Sequence, residues 1–359
     1  MEQIPGEDSN HEKPFDVANN IIATTTFSKS KMGVDSDNAP IYPRFLCHYT
    51  SYASFQKIVD TKSVILSPLS YTNDYSEFRS GFHEIMSLFE LFMEKYGENV
   101  DISKRKLIDA FISHGKTHRD NVYFRQFLSC WSQCDPTDTK ESPDRLSMWR
   151  GYAADGHGVC MVLDLNKVNV ADIAPSNIIL LPVLYESKDQ LRARADESFG
   201  MFLHQIDQKG EKLNWDASEI KDAMIYILNV LAITHKHPAY SEEQEWRLVC
   251  DYDELSNYVK NMKEFPVVRN LDYIIDNNPR AVVRLFLDGE KNADPIQFDM
   301  RELLSDVYIG PCSWELQHQR MLAVKSHLRK NDFRIRDDEN SEGPGVHVRY
   351  SEIPYRGRG

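Results

Sequence analysis

Apolar and polar positions along this chain fall into short blocks whose period changes often. Residues 41–49 read as a buried strand with the polar tip His48-Tyr49-Thr50, and 51–60 then place Phe55, Ile58 and Val59 at helical spacing. Residues 63–67 return to strand, followed by the polar loop Tyr71-Thr72-Asn73-Asp74. From 83 to 96, Ile85, Phe89, Phe92 and Tyr96 recur on one helical face, and a further helix is predicted over 103–117. A strand is predicted over 127–132, a short helix over 146–153, and a strand over 158–165 so continuously apolar that it belongs at a sheet centre. Residues 178–185 make another strand. Two helices are expected between 187 and 237, the second (220–234) apolar on most sides. Strands follow at 245–250, 282–287 and 307–310, then a helix over 314–330 capped by Ser313, and a strand-like tail over 346–355.

Strands and helices do not alternate regularly, which argues against a doubly wound parallel sheet. The pattern predicts an α+β fold with a mixed or antiparallel central sheet and helical insertions. Residues 1–40, polar and weakly periodic, read as a flexible N-terminal arm. Residues 41–356 read as a single domain with a helical insertion at about 187–237.

Composition narrows the function classes. The 359 residues are 41% hydrophobic and 27% charged, which supports a substantial core, and the formal net charge of −13 argues against a dedicated nucleic-acid-coating module. A local basic patch is still compatible with that average. Six cysteines at 47, 130, 134, 160, 250 and 312 show no disulfide-framework spacing, and four of them sit inside strand-like runs. The acidic, polar N-terminus is unlike a secretory leader, and the longest apolar run, 223–233, is too short to span a bilayer. A cytoplasmic location with no membrane partner is expected.

Several clusters carry candidate chemistry. His48 stands at a strand end, where a side chain can project into a cleft or simply bond locally ahead of a Thr50-Ser51 helix start. Asn73 and Asp74 precede Glu77, a spacing shared by capping pairs and catalytic pairs. Met148-Trp149-Arg150-Gly151-Tyr152 could stack on a ring and hold a phosphate, or place Trp149 in the core. Glu242-Glu243-Gln244-Glu245-Trp246-Arg247 sets three carboxylates ahead of an apolar strand, and a solvated acidic turn accounts for at least one of Glu242 and Glu243. No phosphate-binding glycine loop, dinucleotide fingerprint or nucleophile elbow is present. Cys130, Cys134, His235 and His237 match no standard zinc spacing, so no metal is expected.

Together, His48-Tyr49-Thr50-Ser51, Trp149-Arg150-x-Tyr152-Ala153, His237-Pro238-x-Tyr240-x-Glu242-Glu243-x-Glu245-Trp246-Arg247, Tyr308-Ile309-Gly310-Pro311 and Ser351-Glu352-Ile353-Pro354-Tyr355-Arg356 resemble the bacterial family catalogued as domain of unknown function 2971. The resemblance runs over roughly 44–356. The His-Tyr-Thr start and the glutamate entering an apolar strand are also similar to ADP-ribosyltransferases of the His-Tyr-Glu type, with Ser129 and Tyr152-Ala153 in place of the middle signature.

That second resemblance implies an enzyme that cleaves NAD, as substrate, and passes ADP-ribose to a protein or nucleic-acid acceptor, as in a toxin or phage-defence effector. It implies catalytic roles for Glu245, His48 and Tyr152. Glu245 would steady an oxocarbenium-like ribose, and His48 would bond the adenosine-side ribose. Tyr152 or Tyr49 would stack on nicotinamide, and Arg150 or Arg247 would pair with the pyrophosphate. Thr50, Ser51, Asn73, Ser129 and Trp149 would complete the nucleotide site. The tail 353–356 would close the cleft or serve as a clasp. The alternative is a non-catalytic nucleotide-binding sensor, or the partner protein of a toxin–antitoxin or defence pair.

Overall fold

The helices in chain order are α1 (Pro14–Ile22), α2 (Tyr52–Thr61), α3 (Tyr75–Tyr96), α4 (Ile102–Arg125), α5 (Leu146–Tyr152), α6 (Lys188–Gln205), α7 (Ala217–Ile233), α8 (Met300–Leu303) and α9 (Trp314–Lys330). The strands are β1 (Phe45–Thr50), β2 (Ser63–Pro68), β3 (Gln126–Cys134), β4 (Val159–Asp164), β5 (Ile178–Pro182), β6 (Leu184–Tyr185) and β7 (His235–Lys236). They continue with β8 (Glu245–Asp251), β9 (Arg269–Ile274), β10 (Arg280–Phe286), β11 (Leu304–Ile309) and β12 (His347–Tyr350). The computed structural model describes residues 12–72, 75–96, 102–168, 178–210, 215–251, 269–274, 279–289, 299–336 and 344–354. Asn73, Asp74, Tyr355 and Arg356, all singled out above, lie outside the described residues.

A mostly antiparallel sheet organises one half of the chain, in the order β12-β11-β4-β1-β3-β2-β10-β9. Within it β11 and β12 run parallel. β4 is buried at every position, as its unbroken apolar run requires of a central strand, and so is β11 beside it. β3 is a fork. One edge pairs with β8 from Gln126 to Ser132, while the other pairs with β1 at 132–134 and with β2 at 127–128. α2 begins at Ser51, whose hydroxyl accepts from the Ser54 amide at 3.2 Å, and ends at Lys62 in a left-handed conformation. Ser313 occupies the matching place before α9 but makes no side-chain cap bond.

Two glycines let backbones cross at the end of this sheet. A Cβ on Gly158 would lie 2.1 Å from the Thr50 carbonyl oxygen, and one on Gly310 would lie 2.2 Å from that of Gly156. No side chain fits either place, so β1, β4, β11 and the turn after α5 meet only because these positions are glycine.

The chain divides into two compact units. Residues 1–41, 73–121 and 182–240 make the first, and 42–72, 122–181 and 241–359 the second, which holds the sheet's strands. The first unit gathers α1, α3, α4, α6 and α7. Residues 14–27, expected to be a flexible arm, form α1 and a π turn with Val17, Ala18, Ile21, Ile22 and Phe27 buried. Their apolar stripe spans little more than two turns and is diluted by Asn and Thr, which is why composition concealed it.

Helix α3 starts earlier than its expected stripe, burying Phe78, Phe82, Ile85, Met86 and Phe89, while Phe92 is exposed. α6 opens with a reciprocal cap. Ser187 accepts from the Gln190 amide at 3.3 Å, and the Gln190 side chain accepts from the Ser187 amide at 2.8 Å. The single strand expected over 178–185 is two, broken at Val183, and β6 pairs in parallel with β7.

Candidate functional site

The three strands that carry the signatures are neighbours. β1 bears His48, β3 bears Ser129, and β8 begins at Glu245, in the order β1–β3–β8. Register then decides which side chains share a face. Cys47 lies opposite Ser132, and Ser132 lies opposite Glu245, so Cys47, Tyr49, Glu245 and Arg247 occupy one face. Alternation sends His48, Ser129, Trp131 and Trp246 to the other. Contacts agree with this assignment: the His48 ring lies 4.9 Å from that of Trp131, and Trp131 Nε1 donates to Ser129 Oγ at 3.1 Å. His48 and Glu245 therefore do not converge on one ligand, as the signature resemblance implied.

His48 is built into the fork. The β1 ladder with β3 ends at Ser132 and the β2 ladder starts at Leu128. His48 Nδ1 reaches the Cys130 carbonyl between them at 3.1 Å. A carbonyl only accepts, so Nδ1 carries the proton. Burial pulls the imidazole below its ordinary pKa, against the opposing hydrogen bond to Cys130 and the charge of Cys47, and this favours the neutral ring.

Glu245 and Arg247 are two apart on β8 and point the same way. Arg247 Nε donates to Glu245 Oε1 at 2.9 Å, and its Nη2 lies 3.4 Å from Oε2. Glu245 is 5% exposed and Arg247 0%, so the carboxylate assigned to ribose chemistry is sealed against its own strand's guanidinium. Arg247 is equally withdrawn from a pyrophosphate.

The other assigned residues divide between core and edge. Trp149 is 0% exposed and donates from Nε1 to Asp144 Oδ1 at 2.6 Å. Tyr49 packs edge-on against it at 5.3 Å and donates its hydroxyl to the Pro143 carbonyl, so it is not placed to stack on a nicotinamide. Thr50 is buried at the strand end, Ser51 is the α2 cap, and Ser129 is buried beneath Trp131. Arg150 and Tyr152 are exposed, the latter at 41%.

At that edge the two signatures touch. Tyr152 donates its hydroxyl to Glu243 Oε1 at 2.8 Å, and Arg145 Nη1 donates to the Glu242 carbonyl at 2.7 Å. Helix α5 thus clamps the turn that leads into β8. Gln244 adopts a left-handed conformation, which breaks the alternation between Glu243 and Glu245 and turns the two carboxylates to different surroundings. Arg145 gave no sequence signal, since it belongs to none of the quoted motifs.

Asp144 is the other residue the sequence concealed. It accepts from Trp149, from Ser351 Oγ and from the Glu352 amide, each at 2.6 Å. Ile353 packs on the core cluster around Tyr49 and Trp149, so residues 351–353 act as a clasp. Among the described residues no group of three or more His, Cys, Asp or Glu is placed to hold a metal ion, and no helix is long and apolar enough to cross a membrane.

No curated protein and no solved structure matched the chain in comparisons with known proteins. A family model described as a protein of unknown function (DUF2971) matches residues 148–248, from Met148 at the head of the α5 signature to Leu248 within β8.

Proposed function

We propose that the chain is an NAD-using, ADP-ribosyltransferase-like enzyme whose working carboxylate is Glu243 rather than Glu245. The observation that carries this reading is the Tyr152–Glu243 hydrogen bond, which joins the two signatures at the accessible end of the β1–β3–β8 ladder. In the proposed step the bond from ribose C1′ to the nicotinamide nitrogen breaks, and its electron pair leaves with nicotinamide. The Glu243 side chain faces the positive charge that develops on the ribose, and the Tyr152 hydroxyl holds it in place. Arg150, on the same turn of α5 and exposed, is the guanidinium available to a pyrophosphate. The acceptor is a protein side chain, a nucleobase or water. His48, Ser129 and Glu245 keep the strands in register and touch no ligand.

A second reading rests on a different observation. Trp149, Tyr49, Glu245 and Arg247 are all buried, which suits a non-catalytic nucleotide sensor or the partner protein of a defence pair. Nicotinamide release from NAD, measured beside NAD binding by calorimetry, separates the two. Release supports the enzyme. Binding without release supports the sensor, and neither binding nor release leaves the partner protein.

A further inference from the structure

Beneath α5, outside the NAD reading, three thiols meet one guanidinium. Cys47 on β1 lies between Cys134 on β3 and Cys160 on β4, and all three share the face that α5 covers. Arg145 reaches into this group. Its Nη2 lies 4.0 Å from Cys47 Sγ and 3.3 Å from the Gln133 carbonyl, while its buried Nε has no hydrogen-bond partner. Among the described residues no carboxylate pairs with Arg145. A guanidinium does not give up its proton in a protein, so an acid beside the partly buried Arg145 is favoured in its ionised form.

The candidates are few. Tyr49 needs its proton to donate to the Pro143 carbonyl, and a phenol is a weaker acid than a thiol. The thiol that Arg145 contacts is Cys47, and Cys134 and Cys160 can each donate an S–H to it. We propose that Cys47 is held as a thiolate by Arg145 and by the thiols of Cys134 and Cys160, and that it is the cysteine of this chain that peroxide oxidises first.

The electrostatics agree. Burial pushes the Cys47 thiol up, but the hydrogen bonds from Cys134 and Cys160 and the Arg145 charge reverse that and leave it well below its ordinary value. Burial, followed by the bond each makes to Cys47, holds Cys134 and Cys160 well above theirs, so they keep their protons. Tyr49 is likewise raised by burial and then by Cys47. Asp306 adds a smaller negative contribution that raises Cys134 further.

In the reaction the Cys47 sulfur attacks one peroxide oxygen, an S–O bond forms and the O–O bond breaks. Sulfur loses two electrons to peroxide, and the leaving hydroxide takes up a proton to become water. The product is a sulfenic acid, which condenses with the Cys134 or Cys160 thiol, losing water, if the strands shift enough to bring the sulfurs together. All three thiols are buried, so the reaction waits on entry of a molecule as small as peroxide past α5.

The test treats the whole chain with limited peroxide, removes the oxidant enzymatically, and alkylates in denaturant. Peptide mass spectrometry then shows which cysteines escaped alkylation. Cys47 is expected to escape first, alone or with one of Cys134 and Cys160, and Arg145→Met is expected to slow its loss at least severalfold while Arg145→Lys restores much of it. Oxidation that starts at Cys130, Cys250 or Cys312, or that ignores Arg145, overturns the proposal. A measurement on wild type alone guards against variants that fail to fold. Native protein at neutral pH should show thiolate ultraviolet absorbance that disappears in Cys47→Ser or on unfolding, and its absence from the native protein also overturns the proposal.

Discussion

Two buried arginine–glutamate pairs, one in each unit, make an instructive contrast. Arg247 and Glu245 sit two residues apart on one strand and are spelled out by a motif. Arg194 and Glu186 belong to α6 and the turn before it, and nothing in the sequence draws the eye to them. Yet Arg194 is fully engaged. Its Nε and Nη2 bond Glu186, and its remaining donors reach Thr26 at 3.2 Å, Thr234 at 3.1 Å and the Leu231 carbonyl at 3.1 Å. All five N–H groups of the guanidinium are used. That one side chain ties α6 to the π turn and to the end of α7. A motif therefore singles out residues without saying whether chemistry or architecture is the reason, and only burial and register separate the two.

The sharpest way to break the contrast is Arg194→Met. It leaves Glu186 buried without its guanidinium and should cost about 3–5 kcal/mol in urea unfolding. A loss under about 1 kcal/mol would mean that solvent already reaches the pair. Gly158→Ala comes next, at about 1–3 kcal/mol, because its methyl group must displace the Thr50 carbonyl of β1. A neutral result there would show that β1 and β4 can separate.

Acid sharpens the contrast further. Burial alone would raise Glu186, but the His235 hydrogen bond and Arg194 outweigh it and hold the carboxyl below its ordinary value of 4.5. Its folded pKa is depressed, so its stabilisation is complete above that ordinary value and is lost as pH falls through the lower folded one. Glu186→Gln should accordingly flatten the acid limb of stability against pH. An unchanged limb would place the acid-sensitive carboxylates elsewhere.

Much of the sheet was legible. The unbroken apolar run of β4, the short strand before His48 and the strand after Glu245 all stand where their patterns predict. What stayed hidden follows from pairing rather than from local pattern. His48 and Glu245 are on opposite faces because Cys47, Ser132 and Glu245 line up across three strands, and a slip of one residue would have brought them to the same face. The first unit is assembled from three separated segments, which no local period announces. Arg145 and Asp144 owe their importance to partners about a hundred or more residues away, the Glu242 carbonyl and Ser351.

In the proposed reading Glu243 does the chemistry and Glu245 holds the fold. Its most direct test is nicotinamide release per folded molecule, measured for wild type, Glu243→Gln and Glu245→Gln. The expected result is that Glu243→Gln melts close to wild type but loses release by at least about 100-fold, the scale for removing one electrostatic contact to a transition state. Glu245→Gln should lose about 3 kcal/mol of stability while its folded fraction keeps releasing nicotinamide. The opposite pattern, with Glu243→Gln fully active and a stable Glu245→Gln inactive, would contradict the assignment and return the chemistry to Glu245.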